Sequence, residues 1–180
     1  MIITKVLFLF SFIIAPAIGF PSCCETELVN TRNQRVLDDY LDVWSGNLAL
    51  AETVFHPDVV LHSDRFPSST GKGSDLISVT NRDEFVAFVQ RSRKGRKRYT
   101  FTPIRSTGDK DSVAVRWAMH GVIGSNFTLF PTPLKAGAAV TYDGADFLVL
   151  DNCTGLVQEV YITQNLIQYF HAMGLTAVTV

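Results

Sequence analysis

The sequence has few of the residues that build metal and nucleic-acid sites. Its 180 residues include three cysteines and four histidines, and these show none of the paired ligand sets of structural zinc sites. The 16 basic side chains are balanced by 17 acidic ones, which disfavours a nucleic-acid partner. Beyond the N-terminus, no apolar run reaches the roughly 20 residues that a membrane span needs. We therefore expect no metal, no nucleic acid and no membrane among the partners of the chain.

The N-terminus differs in composition from the rest of the chain. Within residues 1–19, Lys5 is the only charged side chain, residues 6–14 are almost entirely apolar, and Ala17 and Gly19 are small. This is the pattern of a secretory signal peptide with a cleavage site after Gly19. The sequence therefore predicts a secreted protein.

Cysteines and glycosylation motifs agree with secretion. An oxidising compartment permits a disulfide between Cys153 and either Cys23 or Cys24, and the sequence does not choose between these two partners. The alternative, that all three cysteines are small buried residues, stays open. Sequons begin at Asn126 and Asn152, so we expect N-glycans there in a eukaryotic host.

Hydrophobic periodicity predicts helices in the first half of the chain and strands in the second. Helical spacing covers residues 32–44, 48–54 and 81–92, and Asn81 is a good N-cap three residues before Glu84. The predicted strands are 59–64, 99–106, 112–120, 140–150 and 156–163, the segment 66–78 is a predicted loop, and a last short helix covers 165–173. Because the last four predicted strands follow one another along the chain, they indicate a meander. The chain is therefore predicted to be α+β, with helices grouped on one face of a curved antiparallel sheet.

This order of elements resembles the cone-shaped fold of nuclear transport factor two. Five segments are similar to the SnoaL-like polyketide cyclase group within that fold. They are YLDVWSG (40–46), VFHPDVVLH (54–62), VAVRW (113–117), DFLVL (146–150) and GLVQE (155–159). No single segment is specific, but their order and spacing together are.

The resemblance implies a fold, a domain organisation and a function. The fold is an α+β cone whose curved antiparallel (mixed) sheet packs on about three N-terminal helices, with a short C-terminal helix. The segments are a signal peptide (1–19), an N-terminal segment that carries Cys23 and Cys24 (20–31), the SnoaL-like domain (32–175) and a C-terminal tail (176–180). Members of the group bind a flat, hydrophobic small molecule in the cone. They typically catalyse cyclisation, isomerisation or dehydration by acid/base chemistry without a cofactor.

Candidate catalytic residues lie on the first and last strands. Alternation puts His62 and Asp64 on one side of the first strand, so Asp64 can orient the His62 imidazole for proton transfer. Glu159 matches the acidic position that is common on the family's closing strand, and Tyr161 can donate a hydrogen bond to a developing negative charge. As alternatives, His62 caps the rim of the cone and Glu159 is solvated on the outer face.

We expect aromatic side chains from the helices and polar side chains from a meander strand to line the pocket. The candidate pocket residues are Tyr40, Trp44, Phe85, Phe88, Arg116 and His120. Alternation places Arg116 and His120 on one face of their strand. Two alternatives remain, in which Arg116 pairs with Asp146 or Glu159 on the outer face of the sheet and His120 is a solvated strand-end residue.

The sequence departs from the group in one respect that bears on function. The resemblance implies an essential aspartate near the end of the last strand, where this chain has Tyr161 and Ile162, and a second acidic residue where it has Asn165. A phenol is a poor base at neutral pH. Three hypotheses therefore stay open, namely a cofactor-free enzyme, a non-catalytic carrier or effector that binds a small molecule, and an interaction protein that forms a homodimer through the outer sheet.

Overall fold

A computed structural model describes residues 29–67, 73–129 and 131–177. The elements in chain order are α1 (Val29–Ser45), a 3₁₀ turn (Leu48–Leu50), α2 (Ala51–Val54), β1 (Phe55–Ser63), β2 (Phe66–Pro67), β3 (Ser74–Asp75), α3 (Arg82–Arg93), β4 (Arg96–Gly108), β5 (Ser112–Ile123), β6 (Ala139–Leu150), β7 (Val157–Gln164) and α4 (Leu166–Ala172). No helix in these described ranges is both long enough and apolar enough to cross a bilayer. The predicted signal peptide, Cys23 and Cys24 lie outside the described residues.

The main sheet has five strands in the order β1-β7-β6-β5-β4. Strands β4 to β7 form the predicted antiparallel meander, and β1 adds to β7 in the parallel direction, with His62 opposite Tyr161. The predicted α+β fold with a mixed sheet is confirmed. The parallel pairing places residues from the first and last strands side by side, although they lie about 100 positions apart in the sequence.

The long helix α1 forms because its apolar side chains recur at helical spacing. Val36, Tyr40, Leu41 and Trp44 are all buried, and they form the stripe that packs on the inner face of the sheet. Helix α1 ends at Ser45, where Gly46 adopts a φ of +113° that side-chain-bearing residues rarely reach. The predicted first helix is therefore confirmed, with three further residues at its start.

Helix α3 begins where its capping residues predict. The Asn81 side chain accepts a hydrogen bond from the Glu84 amide at 2.9 Å, and the Glu84 carboxylate accepts one from the Thr80 amide at 2.8 Å. The first bond satisfies an amide group that the first turn of a helix leaves unpaired, and the second fixes the residue that precedes the cap.

The structure extends the predicted first strand and divides the predicted loop. Strand β1 starts at Phe55 instead of residue 59, because α2 ends at Val54 and the chain continues directly in an extended conformation. An irregularity in the pairing with β7 lies between Phe55 and Val60. Within the predicted loop, β2 and β3 pair as a short antiparallel ribbon.

Arg93 joins three parts of the fold. Its Nη1 donates hydrogen bonds to the carbonyl oxygens of Trp44, at 2.9 Å, and Tyr99, at 2.7 Å. Its guanidinium also lies against Gly46, where a Cβ atom would be 2.6 Å from Nη2. Arg93 therefore links the ends of α1 and α3 to the start of β4, next to the aromatic core.

Candidate functional site

Three of the four predicted catalytic residues come together on the outer face of the sheet. His62 Nε2 lies 3.0 Å from Glu159 Oε2, and the Tyr161 hydroxyl donates to the same oxygen at 2.8 Å. The His62 and Tyr161 rings stack with centroids 4.3 Å apart. The hydrogen bond to Glu159 raises the pKa of Tyr161. The side chains of His62 and Glu159 are 43% and 37% exposed, so water reaches this group.

Asp64 takes another partner. Its Oδ2 accepts a hydrogen bond from the Gln164 backbone amide at 3.2 Å, while His62 contacts Glu159. The reason is local, since β1 ends at Ser63 and the alternation of side chains ends with it. The carboxylate that holds His62 therefore comes from the parallel neighbour β7, a pairing that strand alternation alone could not predict.

Arg116 and His120 also lie on the outer face. Arg116 Nη2 is 3.4 Å from Asp143 Oδ2, and His120 Nε2 is 3.2 Å from Thr102 Oγ1. The sequence analysis proposed Asp146 or Glu159 as the partner of Arg116 on that face. The observed partner is Asp143, and Asp146 points inward. Neither Arg116 nor His120 is on the face of β5 that packs against the helices, so the structure separates them from the aromatic pocket residues.

The four aromatic pocket residues meet inside the cone. The Trp44 ring packs edge-on against Phe85 and Phe88, with centroids 5.7 Å apart in both cases, and against Tyr40 at 6.5 Å. All four side chains are at most 9% exposed. These rings fill the space between the helices and the sheet, so a ligand that enters there must displace them.

A carboxylate that the sequence analysis placed on the outer face lies inside this aromatic shell. Asp146 of β6 is 4% exposed, and its Oδ2 accepts a hydrogen bond from the Tyr40 hydroxyl at 2.7 Å. Burial raises the pKa of Asp146 to about 7, although the hydrogen bond from Tyr40 favours the ionised form. Burial and the Asp146 charge raise the pKa of Tyr40 as well. The pKa of the Asp146 carboxyl therefore lies near neutral pH.

Unused hydrogen-bonding groups surround this pair. Within the described part of the chain, Asp146 Oδ1 and the indole Nε1 atoms of Trp44 and Trp117 are buried and have no partner in hydrogen-bond geometry. Both indole rings contact Phe101, with centroids 5.8 and 5.0 Å apart, so they flank one region of the interior. Buried polar atoms without partners are costly, and each calls for an explanation.

Gly144 makes room for one of these indoles. It lies opposite Trp117 in the β5–β6 pairing, and a Cβ atom there would be 2.2 Å from the Trp117 ring. The absence of a side chain lets the ring lie over β6, on the same face as Asp146. The position of Trp117 beside the carboxylate therefore depends on this glycine.

A signal for Asp146 was present in the sequence. Along β6, every second residue from Val140 to Leu150 faces inward, and this set comprises valine, tyrosine, glycine, aspartate and two leucines. An aspartate in such a set is an acidic group on an apolar face. Strict alternation along this strand therefore places Asp146 on the inner face. The search for a charged partner of Arg116 had placed it on the outer face.

The predicted modification sites lie on the surface. Asn126 and Asn152 are exposed in loops, and Cys153 is exposed in the turn between β6 and β7. The disulfide stays a prediction, since both of its alternative partners lie outside the described residues. Among residues 29–67, 73–129 and 131–177, no three histidine, cysteine, aspartate or glutamate side chains are grouped so as to hold a metal ion.

Solved structures share this fold at low sequence identity. TsrD from Streptomyces laurentii superposes with a TM-score of 0.63 at 14% identity, over 82% of this chain and 98% of that one. A candidate SnoaL-like polyketide cyclase from Jannaschia sp. CCS1 gives 0.63 at 16% identity, over 86% and 99%. A protein with a ketosteroid isomerase-like fold from Catenulispora acidiphila, solved with trimethylamine, gives 0.58 at 15% identity, over 78% and 92%.

The family comparison agrees with the structural one. No curated protein matches the chain. The family model described as a SnoaL-like domain matches residues 37–160, which lie within the predicted domain 32–175. Since this match spans more than half of the sequence, the chain belongs to the SnoaL-like domain family.

Proposed function

We propose that the protein is a cofactor-free enzyme that binds a hydrophobic small molecule inside the cone and catalyses its isomerisation, cyclisation or dehydration. The observation that carries the proposal is the buried Tyr40–Asp146 pair, with an unused carboxylate oxygen and two unused indole N–H groups around it. Proton transfer to and from carbon needs a base of suitable pKa, an apolar surrounding and donors for the oxyanion. The interior supplies all three.

The proposed reaction assigns one role to each group. The ionised Asp146 removes a proton from a carbon next to a carbonyl group of the substrate, and the electron pair moves onto the carbonyl oxygen. The N–H groups of Trp44 and Trp117 stabilise the resulting enolate. Asp146 then returns this proton to one of three places: to another carbon, which gives an isomer; to the hydroxyl group that the enolate expels, which leaves as water; or to the alkoxide that forms when the enolate attacks a second carbonyl group, which closes a ring. Tyr40 keeps part of the Asp146 population ionised near pH 7 through its hydrogen bond.

The outer group of His62, Glu159 and Tyr161 is the alternative catalytic site. It contains an imidazole, a carboxylate and a phenol within hydrogen-bond distance. However, an apolar substrate on this exposed face would remain in contact with water, where charge stabilisation is weak. We therefore favour the interior as the catalytic site. The two sites predict opposite effects on activity for variants of Asp146 and His62.

Mass spectrometry of the protein incubated with a metabolite extract from its own source tests the proposal. Wild type is compared with Asp146→Asn, which keeps the size of the side chain, and with His62→Ala. We expect a compound that is replaced by an equal-mass or water-loss product with wild type and His62→Ala but not with Asp146→Asn. Loss of product only in His62→Ala would move the chemistry to the outer face. A compound that is retained unchanged by all three proteins would identify a carrier.

The outer face also supports a second candidate function, self-association. Phe147 and Tyr161 are 44% and 43% exposed, and their rings lie 6.3 Å apart on adjacent strands. Contiguous exposed apolar side chains are a common feature of interaction surfaces. Sedimentation of wild type and of a Phe147→Ser, Tyr161→Ser variant distinguishes the cases, because a dimer through this face would dissociate in the variant. Sedimentation of both proteins as monomers would exclude it.

We further propose that the chain acts outside the cytosol, as its N-terminal pattern predicts. The exposure of Asn126, Asn152 and Cys153 supports this proposal, because glycans and disulfides need accessible sites. Intact mass of the secreted protein, before and after glycosidase treatment and reduction, tests cleavage after Gly19, glycosylation and the disulfide together. An unprocessed intracellular protein would contradict the proposal.

A further inference from the structure

Positive charge is concentrated in one short segment at the end of α3 and the start of β4. Six of the eight residues in 91–98 are basic, namely Arg91, Arg93, Lys94, Arg96, Lys97 and Arg98. Residues 85–108 contain no aspartate or glutamate, although the whole chain has 16 basic and 17 acidic side chains. The charge is therefore segregated locally, and such a cluster creates a potential that attracts anions.

The fold uses two of the six cations in its interior. Arg93 donates hydrogen bonds to the carbonyl oxygens of Trp44 and Tyr99. The Arg96 guanidinium lies 4.7 Å from the centroid of the Tyr99 ring and donates to the Tyr169 hydroxyl at 2.7 Å. These contacts give Arg93 and Arg96 structural roles.

The other four cations are exposed and form what we call the cationic patch, namely Arg91, Lys94, Lys97 and Arg98. In the part of the chain that the structure describes, no carboxylate lies within 4.0 Å of their charged groups. The repulsion between these four charges is therefore not balanced by neighbouring acidic side chains there. An anionic partner would relieve it.

The turn between α3 and β4 holds the backbone of the patch in place. Gly95 adopts a φ of +75°, and a Cβ atom there would lie 2.4 Å from the Phe127 Cα atom, so a side chain does not fit. The Lys94 amide donates to the Arg91 carbonyl at 3.1 Å, and the Gly124 amide donates to the Gly95 carbonyl at 2.9 Å. A backbone that is ordered before binding lowers the entropic cost of binding.

Protection of a sheet edge is the alternative explanation for these charges. Strand β4 is the last in the order β1-β7-β6-β5-β4, so one of its edges has no neighbour among the described strands. Charged side chains on an edge strand hinder pairing with other chains. However, residues 99–104 in the middle of β4 carry no charge, and Arg91 and Lys94 precede the strand. The distribution therefore favours a localised binding surface.

The surroundings of the patch favour a sulfated polysaccharide as the partner. Proteins that bind lipid surfaces insert apolar side chains, and proteins that bind single-stranded nucleic acid stack bases on exposed aromatic rings. The aromatic residues beside the patch, Phe88 and Tyr99, are buried, and residues 91–98 include no exposed large apolar side chain. Short segments rich in lysine and arginine are a feature of heparin-binding surfaces. This choice also agrees with the proposed location outside the cytosol.

We infer that the cationic patch is a binding surface for a sulfated polysaccharide. Sulfate oxygens accept charge-assisted hydrogen bonds from guanidinium and ammonium groups. The polymer lies across the turn between α3 and β4 and does not enter the cone, so the inference does not depend on the reaction proposed at Asp146. Binding at this surface retains the protein on a polysaccharide matrix and leaves the interior free.

Heparin-affinity chromatography and calorimetric titration of the secreted protein with heparin test the inference. We expect wild type to elute from heparin at a higher salt concentration than from a simple sulfonate cation exchanger. A Lys97→Gln, Arg98→Gln variant should bind heparin about tenfold more weakly, and the slope of log Kd against log salt should fall by about 1.5. Arg105→Gln, Lys110→Gln is the matched control, because it removes the same two charges at the far end of β4, about 20 Å away, and should keep wild-type affinity. Circular dichroism checks that both variants are folded.

Chemical protection of wild type gives a second measurement that needs no variant. Bound heparin should shield Lys94 and Lys97 from acetylation, whereas the exposed Lys110 and Lys135 stay reactive, and mass spectrometry measures each site. Equal protection of the four lysines, or equal affinity of the two double variants, would overturn the inference. Elution from both resins at the same salt concentration would reduce the patch to ion exchange only and overturn it as well. Tighter binding to phosphatidylserine vesicles or to a DNA duplex than to heparin would also overturn it, since the partner would then be of another class.

Discussion

The buried Asp146 makes the stability of the protein depend on pH in a defined direction. Burial raises its pKa in the folded protein from 3.8 to about 7. The folded state therefore binds this proton more tightly than the unfolded chain. The stabilisation is complete below the pKa that Asp146 has in the unfolded chain, and it is lost as the pH rises through the pKa that Asp146 has in the folded protein. A carboxylate in a salt bridge shows the reverse behaviour.

The magnitude follows from the difference between the two pKa values. Each pKa unit corresponds to about 1.4 kcal/mol, so the difference between 3.8 and about 7 amounts to roughly 4 kcal/mol when titration is complete. Asp146→Asn cannot ionise and keeps the shape of the neutral acid. We expect the free energy of unfolding of wild type, relative to Asp146→Asn, to fall by about 3–4 kcal/mol between pH 4 and pH 8.

Urea unfolding followed by far-ultraviolet circular dichroism at each pH measures this difference. Asp143→Asn is the matched control, because Asp143 lies on the same strand and faces outward, where its 3.4 Å contact with Arg116 is exposed. We expect its stability relative to wild type to change by less than about 1 kcal/mol over the same range. If the Asp146→Asn difference is constant from pH 4 to pH 8, the carboxylate does not titrate near neutrality and its proposed role in proton transfer is refuted.

Three further predictions concern the neighbours of this site. Tyr40→Phe removes the 2.7 Å hydrogen bond to Asp146, so stability should fall by about 1–2 kcal/mol and the pH transition should move upward, which the same urea series would reveal. Gly144→Ala forces the Trp117 ring to move and should cost about 1–3 kcal/mol with a shift in tryptophan emission, whereas an unchanged emission would contradict the close packing. Arg93→Met leaves two carbonyl oxygens without their donor and should cost about 2–3 kcal/mol, and a loss well under 1 kcal/mol would show that solvent replaces it.

Local patterns in the sequence were sufficient for most of the fold. The helical spacing of Val36, Tyr40 and Trp44 predicted α1, and Asn81 predicted the start of α3. Both signals act within a few residues, where side-chain spacing and capping determine the backbone. The alternation of the meander strands was also readable, because one face of each strand is buried.

The candidate site depended on contacts that local patterns do not contain. The contact between His62 and Glu159 requires the parallel pairing of β1 with β7, which no short segment encodes. Asp146 was assigned to the wrong face because a partner was sought for Arg116 among nearby acidic residues, although alternation along β6 contradicts that choice.

The parallel pairing of β1 and β7 also has a consequence for how the protein is made. Bonded residues such as His62 and Glu159 are 97 positions apart, so the edge of β1 that pairs with β7 stays open until nearly the whole chain has been synthesised. Such long-range pairing is slow, and an exposed edge strand is prone to pair with other chains. A chain that stops before β7 leaves the edges of both β1 and β6 open. We therefore expect such truncated chains to aggregate, and this vulnerability during synthesis follows from the order of the strands alone.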